Sequence, residues 1–186
     1  MIDIWNRVVQ KRRNAKLAMI GDGPLEFEAR KIIGRTKLEK NIDLLGFLDG
    51  VEKYAIFKNS KIIVHPATYD SGGMAAAEAM AWGLPAVSFD LEALKTYYAQ
   101  GMIKTNCFDL DEFAANILRL LNDKELYEKT SQEALAYIRQ EWDWDRRAED
   151  IFTLDTGRLP QETYDVLDET RTRYGKRVED GRPYRS

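Results

Sequence analysis

The sequence predicts an α/β domain: a doubly wound parallel sheet flanked by helices, with a polar C-terminal tail. Three observations predict it. Short apolar runs of strand length alternate with helical periods over about residues 4–141. One of those runs, Ile62-Ile63-Val64, is apolar throughout, as a strand buried on both faces should be. Gly and Pro punctuate the junctions, at Gly21–Pro24, Gly46, Gly50, Pro66, Gly83 and Pro85.

The elements follow in order. Ile4 to Val9 puts apolar residues at helical spacing, and Lys11, Arg12 and Arg13 suit the negative end of that helix. Lys16–Ile20 reads as a strand. Pro24 suits a first helical position, and a helix is expected over Leu25–Gly34. Ile42–Leu45 is a second strand, Val51–Asn59 a helix and Lys61–His65 a third strand, ended by Pro66. Met74–Trp82 is a helix closed by Gly83 and Pro85. Ala86–Phe89 is a fourth strand, Leu91–Gln100 a helix and Met102–Cys107 a weaker strand. Glu112–Leu121 and Leu126–Glu141 are helical by period. These elements make one domain over residues 1–152. Residues 153–186 are polar, with scattered Tyr, and read as a tail, partly disordered or carrying one helix at about Glu162–Tyr174.

The 186 residues are 44% hydrophobic and 32% charged, which suits a buried core and excludes wholesale disorder. Lys and Arg number 28 against 31 Asp and Glu, a formal charge of −3, so bulk charge argues against a nucleic-acid partner. The single cysteine, Cys107, excludes an internal disulfide and reads as a small core residue. The single histidine, His65, excludes a His-cluster metal site, and no metal is expected. No apolar run approaches ~20 residues, and the first residues lack a signal-peptide pattern. A cytoplasmic location is the expectation.

Ligands of open α/β sheets bind beyond the carboxyl ends of the strands. Four loops leave those ends: Gly21–Pro24, Gly46–Gly50, Pro66–Gly73 and Ser88–Glu92. Taken singly, their glycines need be no more than turn residues. The third loop is different, because Glu78 is the only charged residue between Asp70 and Asp90. Its helical neighbours Met74, Ala75, Ala81 and Trp82 are apolar, so a buried carboxylate there requires a partner. Gly72 and Gly73 offer backbone N–H groups to a phosphate at the helix start. Glu78 follows about 8 Å further along the axis. That arrangement suits a nucleotide, with diphosphate on the amides, ribose on Glu78 and a sugar beside Asp70. His65 either lines this site or is an ordinary buried histidine. Trp142 and Trp144 read as packing residues.

The stretch from His65-Pro66 through Asp70, seven residues, Glu78-Ala79-Met80-Ala81-Trp82-Gly83-Leu84-Pro85 resembles the signature of group 1 (family 4) retaining glycosyltransferases. Lys16 to Pro24 (a strand, then Gly-Asp-Gly-Pro), Leu45-Gly46-Phe47 and Leu118 to Glu133 (a Leu-Leu-Asn-Asp helix start) resemble further landmarks of that family, in its order. The resemblance covers about residues 4–152. It implies one Rossmann-like half of a GT-B fold, the C-terminal half that binds the donor, a UDP-, GDP- or ADP-sugar, without a metal. By position, Glu78 would hold the ribose and Asp70 the transferred sugar. Ser71, Gly72, Gly73 and Met74 would meet the diphosphate, Gly46 and Phe47 the base, and Gly21 and Gly23 the phosphates or the acceptor edge. Asp70 stands where the family usually has Glu, and Ser71-Gly72-Gly73 replaces Gly-Phe-Gly.

The family's basic pair for the diphosphate lies in a strand and helix start that would precede Ile4. The isolated chain, with no catalytic residue assigned, is therefore expected to be inactive without an acceptor domain or partner chain. The tail is expected to pack on the domain itself or on a second copy in a homodimer. The alternative is a non-catalytic nucleotide-binding or scaffold domain acting with a partner chain. An oxidoreductase domain ranks low, because Gly21-Asp22-Gly23-Pro24-Leu25-Glu26 lacks the third glycine of a dinucleotide fingerprint.

Overall fold

The computed structural model describes residues 1–143, 145–148 and 151. The chain divides into two units, Met1–Trp142 and Asp143–Ser186. In the second, Asp143 accepts hydrogen bonds from the backbone N–H groups of Asp145 and Arg146. Trp144 and the expected tail, 153–186, lie outside the described residues. The first unit carries the fold.

Its elements are α1 (Ile2–Lys11), β1 (Leu17–Met19), α2 (Glu26–Thr36), β2 (Ile42–Leu44), α3 (Gly50–Asn59), β3 (Ile63–His65), α4 (Met74–Met80), β4 (Ala86–Phe89), α5 (Glu92–Tyr97), β5 (Met102–Thr105), α6 (Leu110–Asn122) and α7 (Lys124–Glu141). Side chains of Asp49, Asp109 and Asp123 accept from the first backbone N–H groups of α3, α6 and α7. Each satisfies a donor that the helix itself leaves unpaired. Pro24 lies outside its helix, because α2 begins only at Glu26. Gly83, at φ +78°, turns the chain after α4.

All strand pairings are parallel, in two groups: β1 with β2, and β3-β4-β5. Both groups feed one core. Leu17 and Ile42 pack with Val87 and Phe89 under Ile4, Trp5 and Val8 of α1, Ile33 of α2, and Phe113, Ile117 and Leu120 of α6. The opposite face holds Ala76, Ala77 and Met80 of α4, Leu94 of α5, Tyr98, and Ala134 of α7. Gly101, at φ +74°, lies so close to α7 that a Cβ there would come 2.3 Å from the Ala134 Cα.

Two further expectations need correction here. Residues Ile63, Val64 and His65 are only half-buried, whereas every residue of β4 is buried. The cause is position: β4 has strands on both sides and β3 on one. Cys107 is exposed, because β5 ends at Thr105 and Cys107 falls in the turn before α6.

Candidate active site

The loops after β1 and β2 are tied together. Gly21 N–H donates to Gly46 O at 2.8 Å, in an isolated bridge between the two. Gly46 sits at φ +68° and Gly21 at φ +125°, both open to glycine. Phe47 projects from this pair, 73% exposed. Gly23 lies in the turn leading to α2.

The loop after β3 is closed on itself. Asp70 Oδ1 accepts from the N–H groups of Gly72 at 2.8 Å and Gly73 at 2.5 Å. Its other oxygen, Oδ2, lies 2.8 Å from His65 Nε2. Burial pushes the Asp70 pKa upward most strongly, but the two amides and His65 together outweigh it and leave it below the ordinary aspartate value. The hydroxyl of Tyr98 donates to the carbonyls of Gly72 and Gly73, each at 2.8 Å. Gly73 caps α4 at φ +64°, and a Cβ there would sit 2.8 Å from Leu94 Cδ2. Ser71 and Met74 flank this knot, Ser71 exposed and Met74 49% exposed.

Glu78 has the partner its surroundings required, from another helix. Lys53 Nζ of α3 stands 2.9 Å from Glu78 Oε2 and 3.4 Å from Asp49 Oδ1. Hydrogen bonding to Glu78 raises the Lys53 pKa, against an opposing effect of burial. Glu78 is not the buried carboxylate expected, since its side chain is 43% exposed while that of Lys53 is 18% exposed. The small residues around it, Ala76, Ala77 and Ala79, face the core instead. Glu78 Oε1 takes no hydrogen bond from the described residues. Beside the pair, Tyr54 of α3 stacks on Trp82 at 5.5 Å between ring centroids.

The structure thus gathers two sets of the expected residues: Gly21, Gly46 and Phe47 on one side, Asp70 to Met74 on the other. Lys53 links the β2 loop to Glu78. Sequence reasoning missed Lys53 and Tyr98. Lys53 stands four residues after its cap Asp49, a legible local signal, but nothing local points to Glu78. Trp142 stacks on Tyr98 at 5.7 Å, the packing role expected of it. Among the described residues no group of His, Cys, Asp and Glu side chains could hold a metal ion, and no helix is long and apolar enough to cross a membrane.

Comparison with known proteins settles the family. Residues 1–136 match the family model of glycosyl transferases group 1. The chain belongs to this family. The α-D-kanosaminyltransferase of Streptomyces kanamyceticus is 26% identical over 135 residues, covering 72% of this chain and 35% of the relative. The poly(glycerol-phosphate) α-glucosyltransferase of Bacillus subtilis is 25% identical over 137 residues, covering 72% of this chain and 20% of that protein. Among solved structures, a point mutant of S. aureus TarM, in complex with fondaparinux, α-GlcNAc-glycerol and UDP, superposes with a TM-score of 0.74 at 22% identity, over 82% of this chain and 31% of TarM. Anabaena HepE in complex with UDP-glucose gives 0.71 at 18% identity, over 83% of this chain and 44% of HepE. This group 1 domain therefore has the fold of one half of a GT-B glycosyltransferase and spans less than half the length of each of these proteins.

Proposed function

We propose that this chain is the donor-binding half of a retaining glycosyltransferase, cytoplasmic, and inactive until an acceptor domain or partner chain completes it. The observation that carries the reading is the half-exposed Glu78, with Oε2 held by Lys53 and Oε1 open. A carboxylate fixed at one oxygen accepts from a ribose hydroxyl at the other. Asp70 keeps spare acceptor capacity on Oδ2 for a sugar hydroxyl, because a carboxylate oxygen has two lone pairs. Phe47 gives the base an apolar surface beside Gly46, and Gly21 and Gly23 stand toward the phosphates. The amides of Gly72 and Gly73 donate to Asp70, so a diphosphate there either displaces that carboxylate or uses Ser71 and Met74. The retaining course is what the resemblance of the Asp70-to-Glu78 stretch to the signature of retaining group 1 enzymes implies. A positive charge at the leaving diphosphate would come from the completing partner.

The UDP and UDP-glucose held by TarM and HepE support a nucleotide-sugar as donor. Exposed Leu25, Phe27, Phe47, Val51, Tyr69 and Phe108 all follow strand carboxyl ends and give the acceptor domain an apolar rim to meet. No metal is required. Calorimetry with UDP, GDP and ADP, with and without EDTA, tests the reading. Weak binding of one of them, unchanged by EDTA, is expected. No binding to any, or strict dependence on Mg²⁺, overturns it.

One observation favours a second reading, a non-catalytic nucleotide-binding or scaffold domain. Both Asp70 oxygens are already engaged within its own loop. Nucleotide binding without transfer, even with a complementary acceptor domain supplied, would establish that reading.

A further inference from the structure

We propose that the segments leading into β1 and β2 form a basic face that docks this chain on an anionic lipid surface, held by charge alone.

The face is built from two short stretches. Residues 11–16 run from the end of α1 to β1, and residues 35–40 from the end of α2 toward β2. β1 and β2 pair in parallel, so both stretches lie at the amino ends of these strands, the edge away from Gly21 and Gly46. They are stitched to each other. The side chain of Asn41, itself buried, donates to Arg13 O at 2.9 Å and to Ala15 O at 2.8 Å. Its carbonyl accepts from Trp5 Nε1 at 3.2 Å, and Lys16 Nζ donates to Lys40 O. The charges therefore stand on a fixed base.

The two stretches carry seven basic residues against one acid, Glu39, in a chain whose formal charge is −3. Lys11, Arg13, Lys16, Arg35, Lys37 and Lys40 are all exposed. Among the described residues none of the six forms an ion pair. Helix ends account for part of the cluster. Lys11 and Arg35 lie in the last turns of α1 and α2, where a cation suits the negative end of the helix. Arg13, Lys16 and Lys40 lie beyond both helices, and Lys37 caps α2 at φ +59°. Crowded, unpaired like charges repel one another and work against folding, so the fold itself gives no reason for these four.

The chemistry selects the partner. None of the large apolar side chains that stand exposed falls within residues 11–16 or 35–40. A single-stranded nucleic acid is held by aromatic stacking as well as charge, and the patch has no aromatic residue. Four of the six exposed cations are lysines, flexible point charges rather than planar forks for fixed carboxylates. A long polyanion wrapping the chain would meet its acidic remainder. A flat surface meets the patch and little that lies more than a Debye length away, about 8–10 Å. Clusters of this size bind anionic bilayers in that way. Docking by this edge leaves the opposite edge, with Gly21, Gly46 and the exposed Phe47, turned toward solvent.

Flotation of the full chain with lipid vesicles tests the proposal without any nucleotide. Binding is expected to vesicles of phosphatidylcholine with phosphatidylglycerol and not to phosphatidylcholine alone. It should vanish in ~1 M salt, where the Debye length falls to about 3 Å. Each cation should contribute about fivefold to the partition. Lys37→Gln with Lys40→Gln should therefore weaken it by about 25-fold. Both side chains are exposed, and Lys40→Gln keeps the backbone carbonyl that Lys16 uses, so the variant should fold, as circular dichroism would show. Lys95→Gln with Lys129→Gln removes the same charge elsewhere and should change the partition by less than about twofold. Absence of binding to the anionic vesicles overturns the proposal. Equal losses in the two double variants also overturn it, because net charge would then be the cause. Binding to heparin but not to vesicles would make the partner a soluble polyanion and overturn the lipid surface.

Discussion

The two parts of the sheet end in loops of opposite character. After β3, Asp70, His65, Tyr98 and two glycine amides form a closed knot. After β1 and β2, a single Gly21–Gly46 hydrogen bond holds two open loops, and Phe47 stands in solvent. The strands beneath differ in the same sense, since all of β4 is buried while Ala18 of β1 is exposed. The difference teaches that rigidity here comes from neighbours. The closed loop has α5 and Tyr98 packed behind it, and the open loops follow two strands that, among the described residues, pair only with each other.

The largest test of that contrast is in the strands. Phe89 of β4 is 3% exposed and meets Phe113 edge-on at 5.0 Å. Phe89→Ala should cost about 3–5 kcal/mol in chemical denaturation. Leu44→Ala in β2, at a half-buried position, should cost about 2 kcal/mol. Equal losses would mean that the β1–β2 part is as tightly packed as the other.

A pair of glycines sharpens the comparison at the loops. Gly73 and Gly46 have nearly the same backbone, φ +64° and +68°. A Cβ on Gly73 would press on Leu94 and Tyr98, whereas one on Gly46 meets nothing within 4 Å. Gly46→Ala should therefore cost only the left-handed strain, about 1–2 kcal/mol. Gly73→Ala adds overpacking, for about 2–4 kcal/mol in all. Thermal unfolding of both variants reads the difference, and similar losses would show that the knot yields.

Much of this was legible in the chain. The alternation of apolar runs and helical periods located α1 to α7 and β1 to β5 to within a few residues, because each signal is local. Asp70 and Glu78 stood out because charge is absent around them. The rest depended on distant partners. The half-exposure of Ile63 and Val64 follows from β3 pairing with a described strand on one side only, which an apolar run cannot report. The Lys53–Glu78 pair joins two helices with a strand between them in sequence, and Asp70 folds back on amides that its own motif seemed to offer to a ligand. Cys107 was misplaced because β5 stops two residues before it.

Asp70 gives a smaller, pH-dependent test. Its pKa lies below the ordinary aspartate value in the folded chain. Its ionised form therefore adds stability above the unfolded-state pKa, and that stability is lost as pH falls through the lower folded value. Asp70→Asn keeps one oxygen for the amides, so the loss at neutral pH should be about 1 kcal/mol. The gap between variant and parent should close in acid, and a gap independent of pH would remove the charge from the explanation.

The smallest effect on stability, and the most informative for function, belongs to Glu78. Its side chain is half-exposed, and its partner Lys53 retains Asp49. Glu78→Gln still offers Lys53 a carbonyl oxygen, so the melting temperature should stay near that of the parent. The charge aimed at a ribose is lost, and a hydrogen bond to a charged group contributes about 1.5–3 kcal/mol. Nucleoside diphosphate affinity should then fall by about tenfold or more. The two acidic residues of the motif would divide the work, Asp70 holding the closed loop and Glu78 holding the ligand. Calorimetry and thermal unfolding on the one variant decide it. A lowered melting temperature with unchanged affinity would make Glu78 a structural partner of Lys53, and the division between the two carboxylates would be lost.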